Sequence, residues 1–358
     1  MYLENFPIEN SGYQYRAYKW AEILSQNGIK CEIKTILPDK HDFDICSPQR
    51  FLIISMRKRF WQCLYARRFK TVIVRRELLQ FNDYGNLFME KFLLKIHPNV
   101  ILDFDDDIAS AKRQPHEITN LYGKLFLENG NKFNDSLRLY SKFIVGSEYL
   151  KSKVLYENPD VSDNSILVIP TCVDYDKYSA KEHQKDNDEI TLGWIGGNQN
   201  LNYLDKLIEP LNLLSKDHKI KLVVVAGKDY EHPNARFKIE NKQWSLEGEK
   251  DLIRSFDIGL MPIEDNAIGR GKCGFKLLQY MGLGVIGIAT NVTINGEIIT
   301  DGENGFLVKS DNSNWYEVLK KAVDLNDKFV IMGQNARNQI LSRYTFSSNI
   351  NKYLEWVS

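Results

Sequence analysis

The chain has 358 residues, 43% of them hydrophobic and 12% aromatic, enough for a large buried core and, at this length, for two domains. Forty-seven basic residues balance forty-seven acidic ones, which excludes a global pull toward nucleic acid or an anionic surface; any such pull has to be local. Five cysteines, scattered and never spaced C-x-x-C, argue against a disulfide framework and against zinc, and six histidines show no ligand spacing.

The first segment, MYLENFPIENSGYQYR, lacks a basic stretch followed by an apolar one, and no uncharged apolar run approaches the length of a membrane span. A cytoplasmic protein is expected, at most at the inner face of a membrane. MYLENF offers only a short first strand before the ENSG turn. Helical and β-like runs then alternate: YRAYKWAEILSQNG, CEIKTIL, TVIVRR, NLFMEKFLLKIH, VILDF, KFIVGS and ILVIPT.

Two local signals stand out in this half. From Ile45 to Arg76 there is no acidic residue, while Arg50, Arg57, Lys58, Arg59, Arg67, Arg68, Lys70, Arg75 and Arg76 lie among Phe51, Phe60, Trp61, Tyr65 and Phe69. A basic, aromatic-bearing helix over residues 50–76 suits an anionic membrane or a lipid diphosphate acceptor; a solvated helix face over a buried apolar stripe explains the pattern equally well. Arg57, Lys58 and Arg59, with Arg16 on the first helix, are the candidates for the acceptor or membrane side. Nucleic acid is not expected, because nothing outside the stretch continues the patch.

The second signal is VILDFDDD, with Asp103, Asp105, Asp106 and Asp107 at a strand end. A D-x-D could chelate a divalent cation, and a strand end with a helix cap would also use these residues. The preferred reading has Asp105 and Asp106 facing a cleft and binding sugar hydroxyls, with no metal.

Asp174 to Glu189 reads DYDKYSAKEHQKDNDE, with almost nothing to bury, and is the expected linker. It separates residues 1–173 from residues 190–344, where alternation restarts with ITLGWIGG, YLDKLIEPLNLLSK, IKLVVVAGK, KDLIRSF, DIGLMPI, FKLLQYMGLG, VIGIAT and GFLV. Residues 345–358 form a last helix that can pack back on the first domain. Strands spaced by helices imply βαβ units and parallel sheets, so each half is predicted to be a doubly wound, Rossmann-like α/β domain, the two facing an interdomain cleft.

Gly282, Gly284 and Gly287 spell a formal G-x-G-x-x-G, the signature of a dinucleotide site. The signature requires a strand before the glycines and a helix after them. Here FKLLQYMGLG is helical and VIGIAT is β-like, so the glycines are predicted to cap a helix and feed a strand. The stretch before them, GRGKCGFK, interleaves Gly269, Gly271 and Gly274 with Arg270, Lys272 and Lys276 where a loop meets a helix N-terminus, an arrangement suited to phosphate. A plain solvated basic loop carries similar weight on the pattern alone.

DIGLMPIEDNAIGRGKCGFKLLQYMGLGVIGIATNVTINGEIITDGENGFLV resembles the donor-binding half of family 4 glycosyltransferases, retaining enzymes of the GT-B fold that use nucleotide-sugars. SGYQYRAYKWAEILSQNG, VIVRRELL, VIPTCVDYDKY and LGWIGGNQNLNYLDKL extend the similarity along most of the chain. The resemblance implies a sugar diphosphate near Gly196, Gly197 and Asn198, with the Gly196 and Gly197 amides, Lys276 and Arg270 stabilising its charge and Lys272 and Gly274 beside them. It also implies a contribution from Gly12 in the first glycine-bearing loop, and a base near Trp244, for which a core position is an equal alternative. In the family two glutamates eight apart bracket the helix; here Gly271 and Gln279 take their positions. Gln279 can hydrogen-bond a ribose diol but brings no charge.

The expected activity is transfer of a sugar to a carbohydrate or glycolipid acceptor in surface polysaccharide synthesis, without cofactor or metal. A nucleotide-sugar epimerase of the same fold and a non-catalytic nucleotide- or glycan-binding member are the alternatives.

Overall fold

The structure, a computed structural model, describes residues 1–5, 14–36, 48–79, 87–110, 132–175, 178–182 and 189–357. It divides into two units, Met1–Thr171 with Ile350–Ser358, and Cys172–Asn349.

In the first unit the strands are β1 (Tyr2–Glu4), β2 (Ile33–Thr35), β3 (Val72–Arg75), β4 (Val100–Phe104), β5 (Phe143–Val145) and β6 (Ile166–Val168). They form one parallel sheet in the order β2-β1-β3-β4-β5-β6. The first strand is as short as its sequence suggests, yet it is interior to the sheet, with Tyr2 in register with both Ile33 and Ile73. Parallel strands covered on both faces need apolar residues on both, which is why VIV and VIL read as continuous runs rather than alternating ones. Helix Phe346–Val357 supplies part of that cover. Its Tyr353 ring stacks on Trp20 at 4.0 Å and its hydroxyl meets Tyr2 Oη at 2.7 Å. Thr71 Oγ1 donates to the Val357 carbonyl at 3.0 Å.

The second unit holds β7 (Ile190–Ile195), β8 (Ile220–Ala226), β9 (Lys238–Gln243), β10 (Ile258–Met261), β11 (Ile286–Thr290) and β12 (Gly305–Val308). All pair in parallel, in the order β12-β11-β10-β7-β8-β9. Two apolar clusters sit on its sheet, one around Trp194, Leu222, Ile288 and Trp315, the other around Phe256, Leu278, Tyr280 and Met281.

The formal dinucleotide signature lies where a helix ends. Helix Phe275–Gly282 stops at Gly284, whose φ of +80° lies in the left-handed region. Its N–H donates to the Met281 carbonyl at 2.9 Å, that of Val285 donates to Tyr280 at 3.0 Å, and β11 follows. The glycines are thus a helix cap before a strand.

In both sheets the chain steps outward one way and then returns to build the other side. The reversal falls between β1 and β3 in the first sheet and between β7 and β10 in the second. Loops leaving the carboxyl ends of strands diverge at such a point and leave room for a ligand.

Candidate functional site

The sequence candidates of the second unit follow the carboxyl ends of its strands. Gly196, Gly197 and Asn198 leave β7, Trp244 leaves β9, and Arg270, Lys272, Gly274 and Lys276 lie after β10. The β7 and β10 loops therefore flank the reversal point. Gly274 adopts a φ of +69° and caps helix Phe275–Gly282; a Cβ there would stand 2.7 Å from Ile298 Cδ1. Only glycine meets both demands without strain, and its turn delivers Lys276 into the first turn of the helix.

Lys276 is brought onto the β7 loop. Its Nζ lies 5.4 Å from the centre of the Trp194 ring, and its Cε would be 3.0 Å from a Cβ on Gly196. The absence of a side chain at Gly196 is what lets the lysine stem lie there. One expectation is corrected: the Gly196 N–H is not presented to a phosphate, because it donates to the Val225 carbonyl at 3.1 Å, extending the β7–β8 ladder by one rung. Gly197 precedes the 3-10 turn Asn198–Leu207, and Asn198 Oδ1 packs against Gly227, 3.2 Å from where its Cβ would be. Arg270 Nε donates to Asp265 Oδ1 at 2.6 Å on an exposed edge, while Lys272 is half-buried.

Gln279 stands three residues after Lys276, on the same helix face. Its Nε2 donates to Glu249 Oε1 at 2.7 Å, and the other oxygen of Glu249 accepts from Trp244 Nε1, also at 2.7 Å. Glu249 and Gln279 are buried and Trp244 is half-buried against the core. Burial pushes the Glu249 carboxyl above its ordinary range, while the bonds from Trp244 and Gln279 pull it back. Glu249 was not anticipated. In the run EGEKD it looks like any acidic helix start, and its burial comes from packing against a helix remote in sequence.

The first unit corrects several expectations. Arg16 is buried: it grips Asp103 through Nη2 at 2.7 Å and Nε at 3.0 Å, and donates to the Ile169 carbonyl at 2.6 Å. Arg59, expected on a basic surface, is buried too, with donors on the carbonyls of Leu78 and Glu4 and on Gln62 Oε1. Both guanidiniums satisfy internal acceptors, so neither is an acceptor or membrane contact.

The four aspartates are each matched by a cation. Asp103 pairs with Arg16, Asp105 with Arg75, Asp106 with Arg76 at 2.9 Å, and Asp107 with Lys153. Asp105 is buried and takes Arg75 on one oxygen and Thr171 Oγ1 on the other, so it is an internal counter-ion rather than a ligand held out to sugar. Asp106 keeps partial exposure. Arg76 has a φ of 63°, a strained backbone for a long side chain, which turns the chain at the end of β3. Among the described residues no group of three or more histidine, cysteine or acidic side chains is placed to hold a metal ion.

Along helix Pro48–Ala66 the outward side carries Ile53, Ile54, Met56 and Trp61 together with Arg57 and Lys58, and part of it forms a shallow groove ending at Tyr65. Trp61 is 60% exposed and Ile53 65%, unusual for such side chains. Among the described residues no helix is long and apolar enough to cross a membrane. Gly12 lies outside the described residues.

Two parallel six-stranded sheets, each flanked by helices, define the class: this is the GT-B fold of glycosyltransferases. Residues 189–325, within the second unit, match the family model Glycosyl transferases group 1. WaaG, a glycosyltransferase involved in lipopolysaccharide biosynthesis, is 15% identical with a TM-score of 0.63, over 98% of each chain. HepE from Anabaena, solved with UDP-glucose, is 12% identical with a TM-score of 0.60, over 93% of this chain and 87% of that one. TarM is 16% identical with a TM-score of 0.60 over 84% of this chain, which spans 58% of TarM's length. At such identities the likeness concerns the fold. No curated protein matches the chain in sequence.

Proposed function

We propose that this protein is a retaining glycosyltransferase that takes a nucleotide-sugar donor on its second unit and passes the sugar to a carbohydrate or glycolipid acceptor. The observation that carries the reading is the meeting of Lys276 with the Gly196 loop at the strand-order reversal, inside a group 1 glycosyltransferase domain.

In the proposed reaction the bond between the sugar's anomeric carbon and the diphosphate oxygen breaks, leaving its electron pair on that oxygen. The acceptor hydroxyl bonds the same carbon from the same face, and its proton passes to the departing diphosphate. The chain's part is electrostatic. Lys276, Lys272 and the first turn of helix Phe275–Gly282 face the growing charge, and groups so placed are worth about 2.7–4 kcal/mol each at best. Arg270 joins them by leaving Asp265, an exposed pair that solvent screens and that is therefore readily released. With cations supplied by the chain, the reading includes no metal, and EDTA should leave activity unchanged.

A UDP-sugar is the first donor to try, since HepE was solved with UDP-glucose, and a surface glycan or glycolipid is the acceptor class, since WaaG is involved in lipopolysaccharide biosynthesis. The exposed Ile53, Ile54 and Trp61 beside Arg57 and Lys58 support peripheral contact with an anionic membrane, where apolar side chains insert and cations meet headgroups. Co-flotation with phosphatidylglycerol vesicles should be lost in Trp61→Ser with Arg57→Glu. An epimerase would need unengaged acid and base groups, and the aspartates that suggested it are paired with cations.

The test is the anomeric configuration of the product. Transfer from α-linked UDP-sugars, followed by NMR, should give an α-glycoside; a β-glycoside would overturn retention, and no transfer from any nucleotide-sugar would overturn the transferase reading.

A further inference from the structure

We infer that Glu249 is a positioning residue that fixes which end of the Gln279 amide meets the ligand, and so sets preference for a ribose over a 2′-deoxyribose nucleotide. The inference rests on the nucleotide-sugar reading above and assigns one contact within it. Glutamine can present an oxygen or an NH2 group, and these ask opposite things of a diol. An ionised carboxylate can only accept, so the contact from Gln279 Nε2 to Glu249 Oε1 at 2.7 Å commits the NH2 group inward. The amide oxygen is left as the acceptor for the ribose hydroxyls.

The arrangement is held from three sides. The second oxygen of Glu249 is taken by Trp244 Nε1, which restricts rotation of the carboxylate and ties the indole to the same centre. Glu249 and Gln279 are both buried, so water does not compete freely for the contact. Gln279 shares a helix face with Lys276, so a ligand with its diphosphate at Lys276 has its ribose one turn along. Glu249 thereby supplies, from behind, the negative charge that glutamine itself lacks.

Replacing Glu249 with glutamine leaves an acceptor for Trp244 but turns an NH2 group toward Gln279, which must then offer its oxygen inward and its own NH2 outward. Swapping the pair, Glu249→Gln with Gln279→Glu, restores the order: indole to amide oxygen, amide NH2 to carboxylate, and a carboxylate oxygen facing outward. A residue that merely filled space would not be rescued by such an exchange.

The experiment is calorimetric titration with UDP and 2′-deoxy-UDP on the intact chain, in wild type, Glu249→Gln, Gln279→Ala and the swapped double variant, with circular dichroism to show that each is folded. We expect wild type to favour UDP about tenfold, the span of one or two hydrogen bonds, both single variants to lose most of that preference, and the swap to recover it. Equal preference in wild type and Glu249→Gln, or a swap no better than the single variants, overturns the role of Glu249. If UDP binds but Gln279→Ala keeps the full preference, the ribose contact is elsewhere and the inference falls while the nucleotide-sugar reading stands. If wild type binds neither UDP nor GDP, ADP or CMP, both fall together.

Discussion

Removing the charge of Lys276 while keeping its stem tests the electrostatic account most sharply. In Lys276→Met the aliphatic chain can still lie across Gly196 and against the Trp194 ring, now 5.4 Å from Nζ, so packing is conserved and only the ammonium is lost. A hydrogen bond between charged groups contributes about 1.5–3 kcal/mol, which at 1.4 kcal/mol per decade is roughly ten- to a hundredfold in affinity for the diphosphate. The lost cation–π contact with Trp194 adds stability loss of about 0.5–1 kcal/mol but should not distinguish one nucleotide from another. Titration with UDP and with uridine separates the two effects: UDP affinity should fall by that factor and uridine affinity hold. Lys276→Arg should recover part of the loss. Equal losses for UDP and uridine, or none for either, would show that Lys276 does not meet the phosphates.

Gly274→Ala should cost the second unit about 1–2 kcal/mol for the left-handed backbone, with more from the contact at Ile298, and Ile298→Val in the same chain should return part of it in a urea titration. Tyr353→Ala removes a fully buried ring stacked on Trp20 and a hydroxyl contact with Tyr2; the first unit should lose about 3–5 kcal/mol, read as the melting of its own transition by calorimetry. Burial works against ionised Asp105, but Arg75, Arg76 and Arg16 outweigh it and hold its carboxyl below the usual range. Folding therefore favours the ionised form. The stabilisation is complete above the unfolded value of about pH 4 and drains as pH falls below it; Asp105→Asn should flatten that acid limb of an unfolding profile, and an unchanged limb would count against the pairing.

How much of this was legible in the sequence depended on whether a residue's role was set locally. The helix Phe275–Gly282, its end at Gly284 and the strand β11 follow from apolar spacing and from glycine's tolerance of positive φ, and all are found. The short first strand was visible too. Strand β9 was not: KIENKQ lies at a sheet edge, paired only with β8, and has Ile239 as its one apolar residue, so no apolar period marks it. Basic residues were misplaced for a related reason. Charge in a sequence says nothing about partners, and Arg16 and Arg59 lie inward because acceptors remote in sequence, the Asp103 carboxylate and the Ile169 carbonyl for one and the Leu78 and Glu4 carbonyls for the other, take their donors. The aspartates stand out in the sequence, but two of their cations, Arg75 and Arg76, read there as part of a basic patch, although Arg75 ends the neighbouring strand β3 in register with Asp103. Glu249 is the extreme case: Trp244 is close to it in sequence, but Gln279, 30 residues on, is joined to it only by the fold.

The central claim is that the second unit binds a nucleoside diphosphate through Lys276. The most direct measurement is a thermal-shift titration of the intact chain with UDP, GDP, ADP and CMP, with and without Mg²⁺, alongside Lys276→Met, since a ligand that binds only the folded state raises its melting temperature. The account predicts that one nucleoside diphosphate raises the transition without Mg²⁺ and that Lys276→Met loses most of the rise. No rise with any nucleotide, or an equal rise in the variant, would contradict it.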